Sequence, residues 1–275
     1  MSSDPSISCS NCGTALAGAY CHACGEKQRG PHALDLGPFL HELFHFETHL
    51  DNTLIRTLRP LVLEPGFLTK AWIEGRRVAF AKPIQLFVVL NLLFFIAAPH
   101  LGLFGWRLED AMRHAPQGRI AQLAHQVAEQ RDLPMKAVAY LTDLGMEGAK
   151  RSLFLVLIPV LALLLKILHP RRRLVEHIVF AIHHACFVFI LLLASVLLLS
   201  LVLFGMVGSG LGDAVTVPLF LGGMAAYHWI SIGKVYGGSV WRRGFESLLL
   251  AASFLPLIGA VERVGFRWVL HGLMH

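Results

Sequence analysis

Residues 178–204 read IVFAIHHACFVFILLLASVLLLSLVLF, a run that contains no Asp, Glu, Lys or Arg. The hydrocarbon core of a bilayer is about 30 Å thick, and an α-helix of about 20 mainly apolar residues can cross it. This run exceeds that requirement. It therefore predicts a transmembrane helix, and it favours an all-α, membrane-embedded fold for the chain.

The composition of the whole chain agrees with this interpretation. Of the 275 residues, 55% are hydrophobic and 15% are charged, and the mean hydropathy of +0.59 excludes an ordinary soluble domain. Four further apolar segments predict spans, which gives about five in total. In chain order the predicted spans are residues 84–104, 152–168, 178–204, 215–235 and 245–261. The last is short, so the sequence leaves open whether it crosses completely.

Lys and Arg residues in the connections between spans set the predicted orientation, because such residues gather on the cytoplasmic side. They are concentrated before the first span, between the second and third, and between the fourth and fifth, whereas residues 205–214 contain none. The N-terminus is therefore predicted to be cytoplasmic. Residues 105–151 are predicted to form an extracytoplasmic loop, although this long segment also carries basic residues.

Two cysteine knuckles lie near the N-terminus. Cys9, Cys12, Cys21 and Cys24 follow the pattern Cys-x2-Cys-x8-Cys-x2-Cys, and thiolate pairs with this spacing can close around one tetrahedral Zn²⁺. Two disulfides are the alternative, but the reducing cytoplasm favours free thiols. The sequence therefore predicts a cytoplasmic zinc ribbon. So short a segment has no core of its own, so binding of Zn²⁺ would fold it.

Composition divides the chain into three predicted domains. Residues 1–30 are the zinc ribbon. Residues 31–83 contain an amphipathic helix over 36–58, which Pro60 and the Glu64-Pro65-Gly66 turn are expected to break. They also contain a basic, aromatic segment that suits the headgroup region. Residues 84–275 are the transmembrane helical domain.

Several short motifs follow one another before the first span: Arg56-Thr57-Leu58-Arg59, Glu64-Pro65-Gly66, Glu74-Gly75-Arg76-Arg77 and Lys82-Pro83. This series, together with residues 176–183 and the Tyr236-Gly237 region, resembles the DUF3667-type bacterial membrane proteins. In that family of unknown function, a short zinc ribbon often precedes this region. The resemblance implies a multi-pass protein of the bacterial inner membrane. It supplies no activity, substrate or catalytic residue.

His41, Glu42 and His45 match the His-Glu-x-x-His pattern of zinc proteases, in which two histidines bind the metal and the glutamate activates water. His49 extends the histidines along one helical face, and His49 or Asp51 can supply a third ligand. An amphipathic surface helix offers no obvious sheltered cleft, however. A solvated or interfacial polar face is the favoured interpretation, ahead of an adventitious or regulatory metal face and of a protease.

Three histidines lie inside predicted spans: His183 and His184 in the third, and His228 in the fourth. Ionisable groups in a bilayer are costly and often functional. These residues are therefore a candidate intramembrane site for a proton, a metal or a ligand. Neutral imidazoles that hydrogen-bond across the bundle are the favoured alternative.

Basic residues before the first and third spans can converge on the cytoplasmic face as a site for anionic lipid headgroups or a phosphorylated ligand. Orientation determinants and interfacial anchors are the simpler interpretation. The residues concerned are Arg76, Arg77, Lys82, Arg171, Arg172 and Arg173.

These features together favour a non-enzymatic function, in which the ribbon is a structural and docking head for a cytoplasmic protein partner. A ribbon of this size has no room for a separate active site. The alternatives are a transporter or channel-like protein that uses the intramembrane histidines, and a membrane metalloenzyme that uses His41, Glu42 and His45. A homo-oligomer is compatible with the sequence. Nucleic acid is not an expected partner, because the ribbon itself contains few basic residues.

Overall fold

The computed structural model describes residues 8–28, 35–37, 39, 52–98, 106–202 and 210–275. Within these ranges the regular elements are α-helices, accompanied by isolated antiparallel bridges in the N-terminal ribbon. The helices are α1 (Asn52–Leu63), α2 (Phe67–Ile73), α3 (Pro83–Ala97), α4 (Leu108–His114), α5 (Arg119–Arg131), α6 (Met135–Leu168), α7 (Leu174–Val202), α8 (Gly210–Val235) and α9 (Val240–Met274). The predicted all-α class is confirmed for these residues.

Each predicted span coincides with a helix. The first, third and fourth correspond to α3, α7 and α8, whereas the second and fifth lie inside the longer helices α6 and α9. Two segments, Leu174–Leu197 and Val240–Met274, are long and apolar enough to cross a membrane, and Pro83–Ala97 and Leu155–Leu168 are shorter apolar helices. A core helix of a soluble protein can have the same length and composition. The helices therefore support membrane association weakly, and they do not establish five crossings.

The chain forms two compact units. The first comprises residues 1–94 and 158–251, and the second comprises residues 95–157 and 252–275. The helices α6 and α9 each contribute residues to both units. The division by composition into residues 1–30, 31–83 and 84–275 stays a prediction.

In the first unit, α2 lies against α7 and α8, and the turn that precedes it explains this placement. Gly66 has a φ of 78°, which glycine adopts without steric cost. A Cβ atom at this position would lie 2.9 Å from the backbone of Ser231 in α8. The turn therefore requires glycine both for its backbone conformation and for its close approach to α8.

Aromatic and aliphatic side chains of the predicted spans form the core of the first unit. Phe189 of α7 packs on Phe87 and Phe94 of α3, with ring centroids 5.8 and 4.9 Å apart. Nearby, Leu165 of α6 and Ile232 of α8 are fully buried in one cluster. The apolar runs thus pack on one another through these faces.

In the second unit, the segment predicted as a loop is mostly helical. Leu123 of α5 and Met146 of α6 are fully buried against Phe266 and Leu270 near the end of α9. The Asp143 carboxylate accepts a hydrogen bond of 2.8 Å from the backbone N–H of Leu108, at the start of α4. The short apolar stripes of residues 106–151 therefore build a core with the last turns of α9. The extracytoplasmic location of this segment stays a prediction.

Of the two predicted breaks of the amphipathic helix, the Glu64-Pro65-Gly66 turn follows its last residue, whereas Pro60 does not end it. Helix α1 continues through Pro60 to Leu63, and the Glu64 N–H donates to the Pro60 carbonyl at 3.1 Å. Proline removes one backbone donor, but here the helix extends only one turn beyond it. Residues 40–51 lie outside the described ranges, so the predicted helix over 36–58 is tested mainly from Asn52 onward.

Candidate metal centre and neighbouring polar contacts

The structure brings all four predicted metal ligands together. The Sγ atoms of Cys9, Cys12, Cys21 and Cys24 all lie within 4.8 Å of one another. Cys9 Sγ is 3.6 Å from Cys24 Sγ, and Cys12 Sγ is 3.5 Å from Cys21 Sγ. Each short contact joins one knuckle to the other. The four thiols therefore form one cluster that can bind a metal ion.

The two knuckles have the same backbone geometry, which explains how so short a sequence aims four thiols at one point. In the first, the Cys9 N–H donates to the Thr14 carbonyl and the Gly13 N–H donates to the Cys9 carbonyl, at 2.8 and 2.9 Å. In the second, Cys21, Gly25 and Glu26 repeat this pattern at 2.9 and 2.8 Å. Gly13 and Gly25 have φ values of 76° and 74°, as these tight turns require.

The sulfur positions fit a tetrahedral thiolate site. The shortest S···S distances of 3.5 and 3.6 Å are far longer than a disulfide bond of about 2.0 Å, so the cysteines are free thiols. Four sulfurs about 2.3 Å from a tetrahedral Zn²⁺ are about 3.8 Å from one another. The hydrogen bond that joins Cys12 Sγ to the Thr14 hydroxyl lowers the pKa of Cys12 to about 6. This favours the thiolate form of Cys12, whereas desolvation raises the pKa of the neighbouring Cys21 to about 11.

Glu26 connects the ribbon to the loop before α3, a contact that the sequence reading missed. Its side chain is buried, and its Oε2 accepts hydrogen bonds from the backbone N–H groups of Arg77 and Val78 at 2.8 and 2.9 Å. Beside it, the Ser10 hydroxyl donates to the Gly75 carbonyl at 3.2 Å. We call these contacts the Glu26 clamp. In the sequence, this contact is indicated only by Glu26 itself, an acidic residue directly after the second knuckle.

The basic loop held by the clamp makes mainly protein contacts. The Arg77 guanidinium lies 3.5 Å from the centre of the Trp72 ring, and its Nε donates to the Trp72 carbonyl at 3.1 Å. Arg76 pairs with Glu74 at 2.6 Å. Lys82 is exposed. Two of the three predicted headgroup contacts in this loop are therefore engaged within the chain.

The arginines before α7 are exposed, and two of them form ion pairs. Arg172 lies 3.3 Å from Glu176, and Arg173 lies 3.1 Å from Asp35. Arg172 also donates to the carbonyl of Val235, at the end of α8, at 3.5 Å. Arg171 is exposed. Their predicted contact with anionic lipids stays untested.

A polar cluster that the sequence reading did not assign as a site lies where α6 and α8 end and α7 and α9 begin. The rings of His169 and Tyr236 stack with centroids 4.2 Å apart, and the Tyr236 hydroxyl is 2.9 Å from His177 Nδ1. Glu246 lies 3.3 Å from His169 Nε2 and accepts a hydrogen bond from Arg242 Nε at 2.7 Å. Burial lowers the pKa of His169 and raises the pKa of Tyr236. These side chains join the ends of four helices.

The three predicted intramembrane histidines do not form one group. His184 Nδ1 lies 3.1 Å from His228 Nε2, so these two join α7 to α8 as one buried pair. His183 instead faces α2, where its Nδ1 is 2.9 Å from the Thr69 hydroxyl. All three are buried. Adjacent residues on a helix point in directions about 100° apart, which separates His183 from His184.

The candidate protease residues His41, Glu42 and His45, with His49 and Asp51, lie outside the described residues. Among the described residues, the four-cysteine cluster is the one group of three or more potential ligands close enough to hold a metal ion. The metalloenzyme alternative therefore stays a prediction.

The fold and the site define a class: an all-α protein with apolar helices and a four-cysteine ribbon that can bind metal. The family described as "Protein of unknown function (DUF3667)" matches residues 51–95. This match confirms the predicted resemblance to the family over these residues. No curated protein and no solved structure matches the chain. The matched residues include α1, α2 and the loop that the Glu26 clamp holds.

Proposed function

We propose that this chain is a non-enzymatic protein of the bacterial inner membrane, with about five spans and a cytoplasmic N-terminus. Its ribbon binds Zn²⁺ and acts as a structural head, which is fixed to the loop before α3 and presents its exposed face to a cytoplasmic protein partner. In this proposal the metal stabilises the ribbon, and the ribbon in turn orders the basic loop.

The Glu26 clamp is the observation that carries this proposal. Glu26 lies two residues after Cys24, so its position depends on the fold of the second knuckle. Its buried carboxylate satisfies the N–H groups of Arg77 and Val78, which lie in the family-matched region. A ribbon of this size folds only with its metal. Loss of the metal would therefore remove the acceptor of two loop amides.

Exposed apolar faces support a location in the membrane. Helix α9 exposes Trp241, Phe245, Leu248 and Leu255 at helical spacing, and Trp241 is 88% exposed. A similar stripe on α6 consists of Leu155, Leu163 and Ile167. Soluble monomers rarely expose continuous apolar surface of this extent, whereas lipid tails would cover it favourably.

Contacts within the first unit support the proposed orientation, because they bring the basic connections to the same helix ends. Arg172, between α6 and α7, donates to the carbonyl of Val235 at the end of α8. Arg242, at the start of α9, donates to the carbonyl of Leu168 at the end of α6, at 2.9 Å. Positively charged connections on one side are the pattern that marks the cytoplasmic face.

Hydrogen–deuterium exchange of the purified full chain tests the clamp directly. We expect the peptide that covers residues 74–82 to exchange faster in Glu26→Gln and after removal of zinc by a chelator. Glu74→Gln is the matched control, since Glu74 is exposed and pairs only with side chains at the surface. Unchanged exchange after quantitative zinc removal would sink the proposed link between the metal and the loop.

Photocrosslinking tests the docking role. A crosslinker at Tyr20, which is 61% exposed on the ribbon, should capture a discrete protein in cells, and the adduct should disappear in a variant without the ribbon cysteines. A crosslinker at Tyr140, which is exposed on α6 in the second unit, is the control. Unchanged Tyr20 adducts in the variant without the ribbon cysteines would argue against a partner that binds the folded ribbon.

Transport is a second candidate function, which the His184–His228 pair favours. A transporter needs a polar path along the helices, and this pair lies buried between α7 and α8. The variant His228→Cys distinguishes the two functions through the rate at which position 228 reacts with a small water-soluble thiol reagent. Rapid labelling is expected for a water-filled path, and protection is expected for a packed bundle.

A further inference from the structure

Within the part of the chain that the structure describes, Arg243 at the start of α9 forms no ion pair. Its side chain is only partly exposed, and its Nε is buried without a hydrogen-bond acceptor. Among the described residues no carboxylate pairs with it, and Glu246, one turn later on α9, pairs with Arg242 instead. A buried guanidinium nitrogen that lacks an acceptor costs free energy, so an anion at this position would stabilise the protein.

Gly233 of α8 leaves the space in which the Arg243 guanidinium lies. A Cβ atom at Gly233 would be 2.4 Å from Arg243 Nη1 and 3.0 Å from its Cδ. The missing side chain therefore lets Arg243 lie flat against α8. Gly233 and Arg243 lie where the last turn of α8 meets the first turn of α9, and we call this place the groove between α8 and α9.

The surroundings of this groove indicate the kind of anion. Trp229 and Ile230, one turn before Gly233 on α8, are exposed, and so is Phe245 on α9. An apolar surface beside an unpaired guanidinium matches a phospholipid, whose tails contact the apolar side chains while its phosphate meets the charge. Arginine also forms strong charge-assisted hydrogen bonds with phosphate oxygens.

We propose that Arg243 binds the phosphate of an anionic phospholipid in the groove between α8 and α9. This inference rests on the proposed membrane location. It differs from the sequence-based expectation, which placed headgroup contacts on Arg76, Arg77, Lys82 and Arg171 to Arg173. Three of those residues, Arg76, Arg172 and Arg173, pair with carboxylates of the chain, whereas Arg243 has no such pair among the described residues.

Native mass spectrometry of the delipidated full chain in detergent tests this proposal, with dioleoyl-phosphatidylglycerol and dioleoyl-phosphatidylcholine as probes. We expect the wild type to retain the anionic lipid preferentially. Arg243→Gln should weaken this retention about fivefold, the effect expected for one basic residue at a membrane surface. Gly233→Ala should weaken it as well, since the added methyl displaces the guanidinium while the charge remains. Arg171→Gln, which removes an exposed arginine before α7, is the matched control.

Three outcomes would overturn the proposal: equal retention of both lipids, full retention by Arg243→Gln, or an equal loss in Arg171→Gln. Displacement of the lipid by millimolar inorganic phosphate would assign the site to a soluble anion instead and would also overturn it. Fractionation of cells into membrane and soluble parts distinguishes a failure of the Arg243 site from a failure of the proposed membrane location. A chain absent from the membrane fraction contradicts the membrane location, whereas a membrane-bound chain with unchanged lipid binding contradicts the Arg243 site alone.

Discussion

The Glu26 carboxylate and the Arg77 backbone nitrogen lie 2.8 Å apart, although 51 positions separate the two residues. The same carboxylate oxygen also accepts from Val78 at 2.9 Å. One buried acidic side chain therefore satisfies two amides of a basic loop. It makes the ribbon part of the fold of the first unit.

Replacement of Glu26 by alanine should destabilise the protein by about 1–2 kcal/mol, because two partly buried N–H groups lose a charged acceptor. Thermal unfolding in detergent measures the change. Glu74→Ala is the control, and it should cost less than about 1 kcal/mol since Glu74 forms surface ion pairs. Equal stability of the two variants would show that the clamp contributes nothing beyond a surface contact.

Conversion of Cys9, Cys12, Cys21 and Cys24 to serine should abolish stoichiometric zinc binding, because these four thiols form the cluster. Elemental analysis of the purified protein should give about one zinc per wild-type chain. Cys186→Ala is the control, and it should retain the metal because Cys186 is buried in α7. Zinc that persists without the four cysteines and is lost with His41→Ala would instead support the metalloenzyme interpretation.

Gly66→Ala should destabilise the protein by at least about 1 kcal/mol, since a non-glycine residue is strained at this positive φ. The added Cβ also meets the Ser231 backbone at 2.9 Å, which raises the cost further. Gly222→Ala in α8 is the control, because its Cβ would enter open space and alanine favours a helix. Thermal unfolding of both variants checks the contrast, and an unaffected Gly66→Ala would show that the turn can move away from α8.

Stability should fall as the pH drops below about 6.5, in part through His169. Burial lowers the pKa of His169 in the folded protein, against the influence of Glu246, so the unfolded chain binds more protons in this range. The contribution of His169 to the free energy of unfolding is complete above about pH 6.5, the pKa of a histidine in the unfolded chain. It is lost as the pH falls below this value. His169→Gln should flatten this part of the stability profile. The groups around it, Glu246, Arg242, Tyr236 and Arg172, stay in place, and an unchanged profile would exclude His169 as a source.

The sequence was informative where a local pattern sufficed. Cysteine spacing was enough to predict the ligand cluster, because each knuckle is a short turn whose backbone hydrogen bonds are local. The apolar runs located α3, α7, α8 and the apolar parts of α6 and α9. The motifs around Glu64-Pro65-Gly66 predicted the family, and Gly66 has a physical role in its contact with Ser231.

Contacts between distant segments could not be predicted. Nothing local shows that Glu26 meets Arg77, or that His184 and not His183 meets His228, since these depend on how helices rotate as they pack. The core of the second unit was missed for the same reason. Apolar residues of this segment such as Leu123 and Met146 do not by themselves indicate their partners, which lie more than a hundred residues later in α9.

The two knuckles, which share one backbone pattern, lie early in the chain, and this affects the order in which segments can fold during synthesis. Both knuckles and Glu26 leave the ribosome before the loop at residues 74–82 and before α3, the first apolar helix of the described chain. The thiols can therefore take up metal while most of the chain is still being made. When Arg77 emerges, the Glu26 carboxylate that accepts its hydrogen bond has already been synthesised. If the ribbon folds around a metal as we propose, metal bound during translation would position this acceptor before the segment leading into α3 appears.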